Sequence, residues 1–296
     1  MVDTEKFAPT ANDTSLLWRI TAPGVVAPSY LFGTIHIIPA EDYFMPSTVI
    51  KALNDSKSVV FEIDPKEMSN PATLMGLMTK INMRNDTSLS DLLTAEQYTE
   101  VEEYFTAAGL PFFLFKRMKP MFLSAMVGQD MDAMGGLSGG EEPASGGMKS
   151  YELELSKIAE AGNKDVSGLE SIEFQLSIFD SIPYRAQAVM LYDAITADGD
   201  EDSPAASQLD ALVNLYKRQA VAELAQTIMD ESAGISNFED LLLTKRNANW
   251  VPVIKSATMK GDTGSSFYAV GAGHLGGKNG VIALLRAEGL VVEPVY

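Results

Sequence analysis

The spacing of apolar residues changes along the chain, and each change predicts an element. Residues 15–20 and 29–37 are short apolar runs separated by a Pro- and Gly-rich stretch over 22–28, so they read as two strands joined by a turn. Pro46, at a first-turn position, opens a helix over 46–56. Residues 57–64 form a continuous Val-rich apolar run, which suits a strand buried on both faces. Strand, strand, helix, strand is the order of an α/β unit.

From about residue 70 the pattern is mainly helical. Thr94 and Gln97 have the spacing of a capping box, with Gly109 as a C-cap. An apolar helix is expected over 119–134, with its Met and Phe positions in the core. Six glycines in 135–147 predict a mobile loop or lid. Residues 165–170 read as a short strand ending in Glu170. Ser236 and Glu239 form a second capping box before a long helix that ends near Lys260. An apolar strand over 265–273 then runs into glycines, a helix follows over 279–289, and a last strand closes the chain. The expected fold class is α/β, a central sheet flanked by helices. It is one domain over 15–296, with a helical insertion across about 70–260 and a flexible N-terminus over 1–14.

Composition narrows the function. The 296 residues carry 40 acidic against 22 basic side chains, a formal charge of −18. Such a chain repels nucleic-acid phosphates and anionic membrane surfaces, so neither is an expected partner. Cysteine is absent, which excludes disulfides, thiolate metal sites and a thiol nucleophile. No run of about 18 apolar residues is present to span a bilayer. The first residues have neither the basic nor the apolar region of a signal peptide, which leaves a cytoplasmic chain or an exported one whose leader is removed. The acidic run 198–202 lacks the spacing of a calcium loop and is better read as a solvated turn.

The candidate chemistry centres on two histidines, His36 and His274, and the chain has no others. Each follows an apolar strand in the same setting, Gly33-Thr34-Ile35-His36 and Gly271-Ala272-Gly273-His274. In α/β sheets functional groups gather where strands end. A single G-x-x-H says little, since a lone histidine there is most often structural; two matching ones point to a shared site. Glu62 lies within a run expected to be buried, and Glu170 closes another strand. A buried carboxylate needs a partner, a proton or a metal; the plainer alternative is that each strand has already ended. Two imidazoles with one or two carboxylates make a nitrogen and oxygen set for Mn, Fe, Co or Zn. The Gly-rich 271–280 stretch also admits an anion held by backbone N–H groups.

These stretches resemble the TraB/GumN family, which is related to the TIKI proteases and, more distantly, to the erythromycin esterases and ChaN-like proteins. The paired G-x-x-H is the specific signature, and the similar segments run in order over most of 15–295. The resemblance implies a TIKI/ChaN-like mixed central sheet and a metal-dependent hydrolase or peptidase. His36, Glu62 and His274 would be its metal and catalytic residues, with Glu170 and Arg246 at further motif positions. It also implies a mature periplasmic or extracellular protein acting on a peptide or small molecule. Two alternatives stay open at this point: a metal-free, histidine-based esterase-like hydrolase, and a protein that captures a peptide or pheromone without cleaving it.

Overall fold

The apolar runs assemble into one six-stranded mixed sheet. The structure is a computed structural model and describes residues 3–36, 38–124, 126–127, 148–197, 204–231, 238–260 and 265–296. The strands are β1 (Leu17–Thr21), β2 (Ser29–Thr34), β3 (Ser58–Ile63), β4 (Asp165–Glu170), β5 (Ser266–Gly271) and β6 (Val291–Pro294). Their order across the sheet is β4-β3-β5-β2-β1-β6. Neighbours from β4 to β2 pair parallel, whereas β1 pairs antiparallel with both β2 and β6. The carboxyl ends of β2, β3, β4 and β5 therefore open on one edge, and each of the four strands ends at or near a residue singled out above.

Two compact units make up the chain. The first comprises 1–69, 149–172 and 212–296 and contains the sheet. Its core takes Leu31 and Phe32 from β2, Val59 to Phe61 from β3 and Phe267 to Val270 from β5. These inner strands are apolar on both faces because helices supply partners for the sheet. Helix α1 (Ser47–Asp55) contributes Val49, Ala52 and Leu53. Helix α2 (Tyr151–Ala161) presents Tyr151, Leu155 and Ala159 at four-residue spacing. Helices α3 (Val221–Glu231), α4 (Lys245–Lys260) and α5 (Val281–Ala287) add Leu224, Trp250, Ile254, Ile282 and Leu285 to the same core.

The residues between 70 and 260 divide between the two units. Residues 70–148 and 173–211 form the second unit, while 149–172 and 212–260 belong with the sheet. The apolar stripes of α2 and α4 are the reason, since both are buried in the sheet's core. Glu5–Phe7 form a 3-10 turn, and the Phe7 carbonyl accepts from Arg286 Nη1 at 2.9 Å. The Gly-rich 135–147 stretch and the acidic turn 198–202 lie outside the described residues, as do residues 125 and 128–134 of the predicted 119–134 helix and Ser236 of the second capping box.

The second unit has its own core, built from Leu89, Val101, Phe105, Phe112, Leu123, Ala188, Leu191 and Ile195. Its capping box is present: Gln97 N donates to Thr94 Oγ1 at 3.3 Å, and Thr94 N to Gln97 Oε1 at 3.1 Å. Asp180 accepts from buried Lys119 at 2.9 Å, from Arg84 at 2.8 Å and from the Tyr184 hydroxyl at 2.7 Å. Burial opposes its ionisation, but those three donors hold it below the usual carboxylate range. A depressed folded-state pKa stabilises above the unfolded value and is lost as pH falls through the folded one. Stability of this unit should therefore decline as pH drops below about 4. Asp180→Asn should cost about 3 kcal/mol at neutral pH by stranding Lys119, and should flatten that decline. Thermal unfolding of both proteins across pH 2–7 checks this; an unchanged slope in the variant counts against the role given to Asp180.

Candidate active site

Parallel topology brings four of the five candidate residues to the carboxyl edge of the sheet. Glu62 is the penultimate residue of β3 and Glu170 the last of β4. His36 stands just beyond β2, and His274 ends a 3-10 turn, Ala272–His274, that follows β5. The fifth, Arg246, comes from the first turn of α4. The π-helical turn Asp240–Thr244 runs directly into that helix, a local feature often found at functional sites.

Arg246 is the hub. A guanidinium has five N–H donors on three nitrogens, and here all three nitrogens donate to protein acceptors. Nε donates to Glu170 Oε1 at 2.9 Å and Nη2 to Glu62 Oε2 at 2.5 Å, and Nη2 also forms an ion pair with Glu170 Oε1 at 2.7 Å. Nη1 donates to the Leu242 carbonyl and to His274 Nε2, both at 3.0 Å. These partners engage all three nitrogens, so Arg246 acts by holding the neighbouring groups. Trp250, one turn along α4, closes the arrangement. Its Nε1 donates to Glu170 Oε2 at 3.1 Å, and its ring lies 4.4 Å from the His274 ring and 4.8 Å from the guanidinium.

The two carboxylates on this guanidinium differ. Burial disfavours ionised Glu62, but the surrounding positive groups and the Gly271 N–H, 2.8 Å from Oε1, draw its pKa down to about 2. His274 is itself neutral, because burial and the charge of Arg246 bring its pKa down to about 3. With His274 neutral, the cations that keep Glu62 ionised at neutral pH are Arg246 and His36. Burial raises Glu170 above the ordinary carboxylate value, with Arg246 pulling the other way and Glu62 adding to the rise. The buried pair thus has one fixed anion and one carboxyl with increased proton affinity.

His36 lies in a different setting. Its side chain is 68% exposed, and Nδ1 is 3.0 Å from Glu152 Oε1. Glu152 also accepts from Thr34 Oγ1 at 2.8 Å and from Ser150 Oγ at 3.2 Å. That hydrogen bond to Glu152 raises the His36 pKa to about 9, against desolvation. Glu152 was not among the sequence candidates. It lies 116 residues from His36, and no spacing rule links the two.

Gly271 marks the place where these groups converge. A carbon added at its β-position would lie 3.4 Å from Glu62 Oε1, 3.6 Å from His274 Cδ2 and 3.7 Å from His36 Nε2. A larger side chain would fill the space that the three residues border. Both histidines tether Nδ1 to an oxygen, Glu152 for His36 and Asn247 Oδ1 for His274. Each therefore turns Nε2 inward, as metal-binding imidazoles do. The donor types and their anchoring suit a divalent metal. Their present positions do not close on one: among the described residues no three such side chains converge on an ion site, and His274 Nε2 is held by Arg246. A metal would have to take that nitrogen from the guanidinium.

A mixed α/β sheet with a buried carboxylate, histidine and arginine cluster at its carboxyl edge defines the class of protein. The sequence profile of the TraB/PrgY/gumN family matches residues 16–294, and the chain belongs to that family. Curated relatives include the metalloproteases TIKI2 and TIKI1 of Danio rerio, each 23% identical over 94% and 96% of this chain, and TIKI1 of Homo sapiens, 22% identical over 94%. The chain spans 60%, 64% and 61% of their respective lengths. No solved structure matches it.

Replacing Arg246 by Met should strand two buried carboxylates and cost about 3–5 kcal/mol. Adding Glu62→Gln to that variant should recover part of the loss, because one stranded charge is removed. Urea unfolding of the wild type, both single variants and the double variant measures the coupling. Strictly additive losses would show that the two side chains do not act as one unit.

Proposed function

We propose that the chain is a hydrolase that cleaves peptide bonds, with a divalent metal of the Mn, Fe, Co or Zn type held by His36, Glu62 and His274. The observation that carries it is the opening beside Gly271, bordered by two inward-turned histidines and an ionised carboxylate. Relatives named metalloproteases support the reaction class. A bound metal would lower the pKa of a water molecule and polarise the scissile carbonyl.

The chain's own residues supply the rest. Glu152 fixes the His36 ring and makes it more basic, which strengthens it as a ligand. Arg246 keeps Glu62 ionised, and so available as an anion at the opening. Glu170 is the carboxyl with raised proton affinity, which suits it to take the proton released from water. Arg246 and Trp250 hold it in place.

One observation favours a second mechanism for the same reaction class. The His36–Glu152 pair faces solvent, and His274 Nε2 is already engaged by Arg246. In this alternative His36 exchanges a proton with substrate, Glu152 orients it, and no metal takes part.

Elemental mass spectrometry on protein purified without a histidine tag separates the two. Near-stoichiometric metal in the wild type, lost in the His36→Ala/His274→Ala double variant, is the expected result. Peptide cleavage followed by mass should then fall at least about a thousandfold in either single variant and should cease on chelation. Cleavage that survives chelation selects the His36–Glu152 mechanism. Saturable binding with every peptide mass unchanged would replace hydrolysis with capture.

A further inference from the structure

We propose that Asn247 is a positioning residue that locks His274 in a single tautomer, with the proton on Nδ1 and the Nε2 lone pair directed into the site. Asn247 follows Arg246 in α4 and is 2% exposed. Its Nδ2 lies 2.8 Å from the carbonyl oxygen of Asn279, which can only accept. That contact fixes which way round the amide sits, so the atom 2.6 Å from His274 Nδ1 is the amide oxygen. An oxygen acceptor against Nδ1 requires a proton on Nδ1. At the other side of the ring Arg246 Nη1, which can only donate, faces Nε2 at 3.0 Å. Both ends of the chain Asn279–Asn247–His274–Arg246 thus favour the same tautomer, with the shorter contact at the Asn247 end, and no hydrogen position needs to be assumed.

The choice of an amide matters. Glu152 offers a charge to His36 and promotes its protonation, whereas Asn247 offers His274 a neutral acceptor, which orients the ring without favouring its charged form. Nε2 is then the only nitrogen of His274 that can accept a hydrogen bond or bind a ligand. Asn247 also ties α4 to the Gly-rich loop through Asn279, so the ring and the loop are fixed by one side chain.

The inference concerns a residue of the site read above as hydrolytic, but its first test needs no activity. With only two histidines, nitrogen-15 spectra of the imidazoles contain two ring systems, and His36→Ala identifies which is which. The wild-type chain should show His274 with Nδ1 protonated and Nε2 unprotonated. In Asn247→Leu that single state should give way to a mixture, with thermal stability and the His36 signals serving as controls for folding. Peptide turnover in this variant should fall in kcat by about ten- to a hundredfold with KM within about twofold. A proton on Nε2 in the wild type overturns the proposal, and so does an unchanged His274 spectrum in Asn247→Leu. Should that variant fail to fold, Asn247→Asp keeps an acceptor for Nδ1 while removing the donor to Asn279, and the Nδ1-protonated form should persist; a proton moved to Nε2 there also overturns it. Absence of peptide cleavage in the wild type bears on the hydrolase assignment alone, because the spectra decide the tautomer independently.

Discussion

The site depends on one guanidinium in a nearly dry setting. Glu62, Glu170 and His274 are each buried, and each would be costly there alone. Arg246 makes the arrangement possible because its planar fork meets all three at once, with a charge that does not titrate. Its neighbours then diverge. Glu62 accepts from Arg246 and Gly271 and stays an anion, Glu170 gains proton affinity, and His274 stays neutral. Three different proton affinities arise from the positions of three groups around one cation.

The sheet explains why residues so far apart in sequence meet there. Four adjacent parallel strands end at the same edge, so chemistry placed at each strand end is collected without long loops. This rule made His36, Glu62, Glu170 and His274 legible in the sequence, since a strand end is readable from an apolar run followed by glycine or a carboxylate. The apolar runs of β2, β3 and β5 were readable for the same reason: inner strands buried on both faces have no alternation to be mistaken.

Other features were hidden for physical reasons. Glu152 sits in the first turn of α2, where an acidic residue needs no explanation beyond the helix dipole, so nothing local pairs it with His36. Arg246 was drawn in by family resemblance, because an arginine in a helix is usually solvated. Asn247 left a trace that periodicity could have caught. It lies four residues before Val251, and Arg246 four before Trp250, so the buried stripe of α4 begins with two polar residues. A polar pair that continues an apolar stripe has to find partners inside, and here both find the same histidine. The division of the helical region between two units was likewise hidden, because an amphipathic stripe says that a helix is buried and not which core receives it.

The two histidines share a sequence setting and differ in everything that decides their chemistry. One is exposed and held by a carboxylate; the other is buried and held by an amide. A carboxylate partner increases basicity, whereas an amide only selects a tautomer, so the paired motif places two imidazoles of unequal proton affinity beside one opening. Similar residues at similar strand ends therefore do not imply equivalent roles. His36 can exchange protons with solvent, while His274 offers a fixed lone pair beside Arg246, and any reaction at Gly271 must use that asymmetry.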